Sequence, residues 1–285
     1  MVSEAGGTSY ENAMPVDGTA ASASGDGHSP VLFLSSLPAA ADCDYAAHEV
    51  FVVDDGANDE TVRKLLDFAA THAFGDRHIL FIGSMPDRDS LQPAVRRRCH
   101  VLRSAHRRNE ISAIAAMLAG EACAGLPALS EFDAEFSVRT LQDVDRCAAL
   151  VDKATSLGIL ATTGFRELVL NGIEHGNLEI TFEQKSSLLL GGNWFPEIEK
   201  RLRDPRYRDR YVTVCVRCRD GKIEFRIADQ GDGFDWRTYI DSPVEATNGL
   251  HGRGIAMAIQ AGFRAVEYVG AGNEVIVRAE SQDGD

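Results

Sequence analysis

The chain has 285 residues, of which 44% are hydrophobic, and at about 150 residues per domain this is enough for two domains with a core in each. These values exclude a chain that is disordered throughout and a small disulfide-stabilised protein. Lysines and arginines number 29 against 43 aspartates and glutamates, and the net charge of -14 repels phosphate backbones and anionic lipids. We therefore expect neither nucleic acid nor a membrane as a partner.

Residues 1–30 consist largely of Gly, Ala, Ser and Asp, with almost no large apolar side chains. Such a composition cannot offset the entropy that is lost on ordering, so we predict a disordered tail. The start of the chain also lacks the charged and apolar regions of a secretory signal, and its six cysteines are scattered. We expect reduced thiols and a cytoplasmic location.

Residues 31–124 are predicted to form an α/β domain. Short apolar runs that read as buried strands alternate with amphipathic helical patterns; the runs lie at 31–34, 50–53, 79–82 and 99–102, and the helical patterns at 59–73 and 109–118. This alternation predicts a parallel sheet with helices on both faces.

Polar residues follow two of these predicted strands. Asp54 and Asp55 end one strand, and Ser84 ends the next. This arrangement resembles the flavodoxin-like receiver domain of response regulators, in which a strand-end aspartate is phosphorylated and a Ser or Thr on the following strand contacts the phosphoryl group. The alternative is that both aspartates simply form the turn after the strand.

The sequence departs from the receiver pattern at two strand ends. A receiver has an acidic pair after its first strand and a lysine after its last, whereas this chain has Ser35 and Ser36 at the first place and Arg103 and Ser104 at the second. Without the carboxylates that hold magnesium, phosphoryl transfer to an aspartate loses its main source of charge neutralisation. The resemblance therefore implies a degenerate receiver-like domain that is not phosphorylated.

Residues 125–285 are predicted to form a second domain of α+β type, with helices on one face of a mixed sheet. An Asp-Gly pair at 220–221 lies between two alternating runs, which is a strong hairpin signal. The predicted strands lie at 131–138, 211–217, 222–228, 265–269 and 274–278, and the predicted helices at 141–156, 163–175 and 254–261.

Chemically suggestive residues fall in three segments of this half. Glu167, Asn171 and His175 are spaced by four residues within the predicted helix 163–175, so we expect them on one helical face. Asp229 follows a predicted strand, where its carboxylate would be available to accept a hydrogen bond from a ligand.

The remaining residues of these segments are mostly glycines. Gly231 and Gly233 follow Asp229 and would let the backbone approach a flat ring closely. Segment 249–257 is a glycine-rich turn that opens a helix, where free N–H groups and the helix dipole favour an anion. Each segment alone is typical of a solvated helix face, a turn or a helix cap; their order and spacing are what stand out.

Together the segments resemble the N box and the two glycine boxes of the GHKL-type ATPases, the Bergerat-fold group of DNA gyrase, histidine kinases and mismatch-repair proteins. The resemblance covers residues 131–280. It is nearest to the bacterial anti-sigma-factor serine kinases, because the N box reads Glu-x-x-x-Asn-x-x-x-His and the lid is short.

This resemblance implies ATP and Mg²⁺ as cofactors. Asn171 would be the magnesium ligand, and Glu167 would be the catalytic residue that activates a hydroxyl or water. Asp229 would accept a hydrogen bond from the adenine amino group. The other implied nucleotide contacts are Gly231 and Gly233 at the ring, Gly252, Arg253 and Gly254 at the triphosphate, and His175.

The function implied by the resemblance is that of an ATP-dependent protein serine/threonine kinase of the anti-sigma type. It would transfer the γ-phosphoryl group of Mg-ATP to an anti-anti-sigma-like protein, with a sigma factor as a second partner and a homodimer as the assembly. One alternative is a non-catalytic module that binds a nucleotide or sequesters a partner. Another is a histidine-kinase-like ATPase, for which His106 has little supporting context.

Residues 182–210 form a stretch that is longer than the corresponding part of these kinases. Its pattern predicts an arginine-rich amphipathic helical segment. This segment is either a docking or dimer surface or a solvated helix that covers a sheet edge.

Overall fold

A computed structural model of the chain describes residues 29–34, 47–54, 56–122, 125–237 and 263–282. Residues 1–28 of the predicted tail, the glycine-rich segment 249–257 and the predicted helix 254–261 lie outside these ranges. Ser35, Ser36 and Asp55 of the receiver comparison do so as well.

The described residues form an α/β fold around one mixed sheet of nine strands, in the order β1-β2-β3-β4-β5-β6-β7-β9-β8. Strands β1 to β4 run parallel, and every later pairing, including that between β4 and β5, is antiparallel. The strands are β1 (Val31–Phe33), β2 (Val50–Val53), β3 (His78–Ile82), β4 (Cys99–Leu102), β5 (Glu131–Val138), β6 (Val212–Arg219), β7 (Lys222–Ala228), β8 (Ala265–Val269) and β9 (Glu274–Glu280).

Seven α-helices occur in the described part of the chain: α1 (Asp59–Ala69), α2 (Pro93–Arg96), α3 (Arg108–Leu118), α4 (Leu141–Thr155), α5 (Ile159–Asn171), α6 (Phe182–Leu190) and α7 (Trp194–Arg203). The stretch 182–210 is thus largely helical, as its pattern predicts. The predicted limits of helix 163–175 are wrong. The α-helix begins at Ile159, and after Asn171 the backbone continues as a π-helical turn, Gly172–Asn177.

Both faces of the parallel strands are buried under helices, as expected from their continuous apolar runs. In β2 the side chains of Val50 and Val52 belong to one core cluster, whereas Phe51 and Val53 belong to another. The Phe51 cluster includes residues of α1 and α2, and the Val50 cluster includes residues of α3, α4 and α5. The Val50 cluster continues under β5, β6 and β7, so a single core underlies the antiparallel strands and one face of the parallel strands.

In the described part of the chain, the antiparallel strands pack helices against one face. Alternate residues such as Phe132 and Phe225 are buried in the core, and the opposite face carries ion pairs that link neighbouring strands. On that face, one carboxylate oxygen of Asp133 lies 3.4 Å from Arg217 Nε, and Arg278 Nε lies 3.0 Å from a carboxylate oxygen of Glu224. This arrangement follows the alternation in the sequence, which buries every second side chain.

Candidate functional site

A cavity opens where the end of α5 and its π turn meet the end of β7 and the start of β9. Its polar lining includes Asn171 and His175 from the helix side and Asp229 from the strand side. Apolar side chains form much of the remaining wall; they are Leu168, Phe182, Ile227, Phe234, Tyr268 and Val275. A mainly apolar cleft with a few convergent polar groups is the usual form of a small-ligand site.

Asn171 and His175 reach this cavity from successive turns of the chain. Asn171 is the last residue of α5, and the N–H of Leu178 bonds to the carbonyl oxygen of Ile173, five residues earlier, which defines the π turn between them. The prediction of one continuous α-helical face through residues 167, 171 and 175 is therefore wrong beyond Asn171. A π turn inside a helix commonly occurs at functional sites.

The ring of His175 is fixed by two contacts. Its Nδ1–H donates to the carbonyl oxygen of Ile180 at 2.5 Å, and its ring centroid lies 4.2 Å from that of Phe182. Burial lowers the pKa of His175, against the opposing effect of the bond to Ile180. The neutral ring then presents Nε2 as a hydrogen-bond acceptor.

Glu167 is not among the described residues that line the cavity. It lies one helical turn before Asn171, its side chain is 28% exposed, and its Oε1 is 3.9 Å from Arg166 Nη1. The structure thus brings Asn171, His175 and Asp229 to one cavity and leaves Glu167 beside it.

Asp229 combines burial with few partners. Its Oδ1 accepts a hydrogen bond from the N–H of Gly231 at 2.8 Å, and its own N–H donates to the carbonyl oxygen of Asn273 at 2.9 Å. Burial raises the pKa of Asp229 from 3.8 to about 6, although the Gly231 N–H and the charge of Arg210 act in the opposite direction. Asp229 is partly buried, and such a carboxyl group with a raised pKa in a cleft is a typical functional-site feature.

Three backbone turns approach one another closely around the Asp229 carboxylate, and glycines lie at the points of closest approach. A Cβ atom on Gly176 would lie 2.2 Å from Asp229 Cγ, and one on Gly231 would lie 2.5 Å from the Gly176 carbonyl oxygen. Gly233 has a φ of +80°, and a Cβ atom there would lie 2.2 Å from the carbonyl oxygen of Ala271. Gly231 and Gly233 are therefore required by the packing of these turns. Gly176 was not predicted, although its place directly after the N-box histidine was visible in the sequence.

Hydrogen bonds of Asn177 connect the same turns. Its Oδ1 accepts a hydrogen bond from the Gln230 N–H at 2.8 Å, and its carbonyl oxygen accepts one from Arg210 Nη1 at 3.1 Å. Gln230 Oε1 in turn accepts a hydrogen bond from the N–H of Tyr211 at 2.8 Å. Asn177 Nδ2 is buried and has no hydrogen-bond partner among the described residues. This network fixes the backbone on either side of Asp229.

Sequence reasoning also missed Glu174, which is fully buried in the π turn. Its carboxylate accepts a hydrogen bond from Lys185 Nζ of α6 at 2.5 Å and another from Trp194 Nε1 at the start of α7. These hydrogen bonds connect α6 and α7, the two helices of the stretch 182–210, to the π turn. No spacing rule pairs a glutamate with residues eleven and twenty positions later.

The second glycine box cannot be compared with this geometry, because Gly252, Arg253 and Gly254 lie outside the described residues. Within the described ranges, no group of three or more His, Cys, Asp or Glu side chains is arranged to hold a metal ion. No helix in those ranges is both long enough and apolar enough to cross a membrane.

No family model, curated protein or solved structure matches this chain.

Proposed function

We propose that this chain is an ATP-binding protein serine/threonine kinase of the anti-sigma type, with a Bergerat-fold second half. The observation that carries the proposal is the cavity that joins Asn171 and His175 at a helix end to Asp229 at a strand end. These residues come from two of the three sequence segments on which the family resemblance rests. Their common cavity supports a nucleotide as the ligand.

The polar groups of the cavity suit the two ends of Mg-ATP. The carboxylate of Asp229 would accept a hydrogen bond from the adenine amino group, next to apolar wall residues such as Ile227. The amide oxygen of Asn171 is a hard ligand that would hold Mg²⁺ together with phosphate oxygens and water, since Mg²⁺ usually takes only one or two protein ligands at such sites. The bound ion would neutralise charge on the transferring phosphoryl group.

Glu167 would serve as the residue that orients the attacking hydroxyl. It lies one turn of α5 before Asn171, and its partly exposed carboxylate leaves room for a partner's side chain to approach. The acceptor would be a Ser or Thr of an anti-anti-sigma-like protein. A sigma factor as a second partner, a homodimer, a cytoplasmic location and a regulatory, receiver-like first half belong to the same proposal.

A second candidate is a module that binds a nucleotide or a partner without phosphoryl transfer. The position of Glu167 outside the cavity favours it, because nucleotide binding, unlike phosphoryl transfer, does not require Glu167. The histidine-kinase alternative has weaker support. His106 Nε2 lies 2.6 Å from Ser104 Oγ, its Nδ1 lies 3.4 Å from a carboxylate oxygen of Glu110, and the side chain is only 3% exposed.

Calorimetric titration of Mg-ATP tests the proposed site directly. For the parent protein we expect micromolar, magnesium-dependent binding, which corresponds to about 8 kcal/mol at 1 μM. Asn171→Ala and Asp229→Asn should each weaken binding at least about tenfold, a loss of about 1.4 kcal/mol. Asp232→Asn is the matched control, because Asp232 is exposed in the same turn and does not line the cavity. Absence of binding at millimolar ATP would refute the nucleotide site.

Transfer is tested separately from binding. With radiolabelled ATP and a co-purified partner, Glu167→Gln should abolish labelling of the partner while it retains Mg-ATP affinity. Labelling at the parent rate would exclude the role proposed for Glu167. Normal nucleotide binding without any labelling in the parent protein would favour the non-catalytic module.

A further inference from the structure

Two adjoining cavities of about 550 Å³ each lie between α2, the end of β5 and α7. Both are lined by Arg97 and Arg98, which follow α2, and by Arg139, which follows β5. We call the space around these three side chains the arginine basin. Asp76, Thr140 and Glu199 also line both cavities.

The guanidinium group of Arg98 is incompletely satisfied. Its Nε and Nη1 atoms are buried and have no hydrogen-bond partner among the described residues. Its guanidinium group lies over the ring of Phe74, whose centroid is 5.3 Å from the Arg98 Cζ atom. A buried donor without an acceptor is costly, more so when the donor is charged, so this side chain is suited to receive an acceptor from outside.

The other two arginines bond mainly to neutral acceptors. Arg139 Nε donates to the carbonyl oxygen of Arg208 at 2.8 Å, and Arg139 Nη2 donates to the carbonyl oxygen of Leu202. Arg97 Nη1 donates to the same Arg208 carbonyl and lies 3.3 Å from a carboxylate oxygen of Asp209. These contacts fix the positions of the guanidinium groups, and the one carboxylate that they include is that of Asp209.

Asp76 and Glu199, the two acids that line both cavities, form no ion pair with Arg97, Arg98 or Arg139 among the described residues. Glu199 is paired with Arg203 at 2.8 Å, and no ion pair within the described ranges joins Asp76 to an arginine of the basin. Burial and repulsion from Arg97, with a smaller contribution from Arg139, lower the pKa of Arg98 to about 10, although the charges of Asp76 and Asp209 act in the opposite direction. Taken together, the described residues that line the two cavities include seven arginines and five acids, with Asp143 and Asp145 among the acids, so the lining carries an excess of positive charge within an acidic protein.

We propose that the arginine basin binds a phosphate group, either as inorganic phosphate or as the ester of a small metabolite. A phosphate supplies several acceptor oxygens to guanidinium donors whose planar geometry matches it. The ligand would contact Arg97 and Arg98 from the first half of the chain and Arg139 from the second half. It would thus stabilise the packing of these two segments, independently of the proposed nucleotide site.

Titration of the full-length protein with inorganic phosphate and with ribose 5-phosphate, at constant ionic strength maintained with NaCl, tests this proposal. We expect saturable binding that is weakened at least about tenfold by Arg98→Gln, a loss of about 1.4 kcal/mol. The matched control is Arg63→Gln, which removes an exposed arginine on α1 whose side chain is 67% exposed. Equal affinities for the two probes would identify the phosphate group alone as the ligand, whereas tighter binding of the ester would identify a small phosphate ester.

Circular dichroism verifies that Arg98→Gln is folded. If it is not, ¹⁵N spectra of arginine side chains in the parent protein give the readout, because phosphate should shift a small subset of Nε–H resonances to saturation. Arg97→Gln and Arg139→Gln assign that subset by the loss of their own resonances. No saturation up to millimolar phosphate, or binding that Arg98→Gln leaves unchanged, would overturn the proposal.

Discussion

Glu174→Ala would remove the carboxylate that joins the π turn to α6 and α7. The side chain is fully buried, and it accepts hydrogen bonds from Lys185 Nζ and Trp194 Nε1. The substitution leaves the ammonium group and the indole N–H without their acceptor and opens a cavity in place of the carboxylate. All three effects destabilise the folded state.

The expected magnitude follows from the burial of the two charged partners. Breaking a buried ion pair by removing one side chain costs about 3–5 kcal/mol. The Lys185 side chain is 23% exposed, so its ammonium group regains some hydration and the cost falls at the lower end of that range. A loss of about 3 kcal/mol corresponds to a fall in Tm of roughly 6–12 °C for a chain of this size class.

Urea unfolding and calorimetry measure this loss, with Glu199→Ala as the matched control. Glu199 pairs with Arg203 on the surface of α7, where the two side chains are 36% and 78% exposed. An exposed helical pair of this kind contributes about 0.3–0.5 kcal/mol. A cost for Glu174→Ala no larger than that for Glu199→Ala would refute the argument from burial.

Two further predictions concern the turns around the cavity. Because the folded-state pKa of Asp229 is raised from 3.8 to about 6, the stability that it contributes is present below about pH 4 and is lost as pH rises to about 6. Asp229→Asn should remove this loss and leave the protein up to about 3 kcal/mol more stable at pH 7, as measured by urea unfolding at pH 4 and pH 7; an unchanged pH profile would contradict the assignment. Gly233→Ala should cost about 2–4 kcal/mol through backbone strain and overpacking, whereas Gly270→Ala, which also has positive φ but no neighbour within 4 Å of its Cβ position, should cost about 1–2 kcal/mol. Equal losses of stability for the two variants would show that the contact with Ala271 adds nothing to the cost of Gly233→Ala.

Much of the secondary structure was predictable from local sequence patterns. The strands predicted at 131–138 and 265–269 have the observed limits, because alternation of buried and exposed residues is a local property. The hairpin at Asp220 and Gly221 is confirmed by their φ values of 49° and 71°, which few residues other than Gly, Asn and Asp adopt readily.

Features that depend on long-range contacts were not predictable in the same way. The antiparallel pairing of β4 with β5, which unites the nine strands in one sheet, leaves no signature in either strand alone. The π turn after Asn171 arises from a one-residue change in hydrogen bonding, to which hydrophobic periodicity is insensitive. Glu174 reads as an ordinary helical glutamate until its partners in α6 and α7 are known.

The carboxylates of Glu174, which is fully buried, and Asp229, which is partly buried, differ in a way that bears on function. Glu174 receives two side-chain donors, one of them charged, and so is satisfied within the protein. Asp229 receives one backbone N–H, and it takes part in no ion pair among the described residues. Among the described residues, the fold supplies two side-chain donors to Glu174 and none to Asp229. Under the proposed function, the adenine amino group would be the donor to Asp229, and this asymmetry makes Asp229 the more informative of the two residues to mutate in a binding experiment.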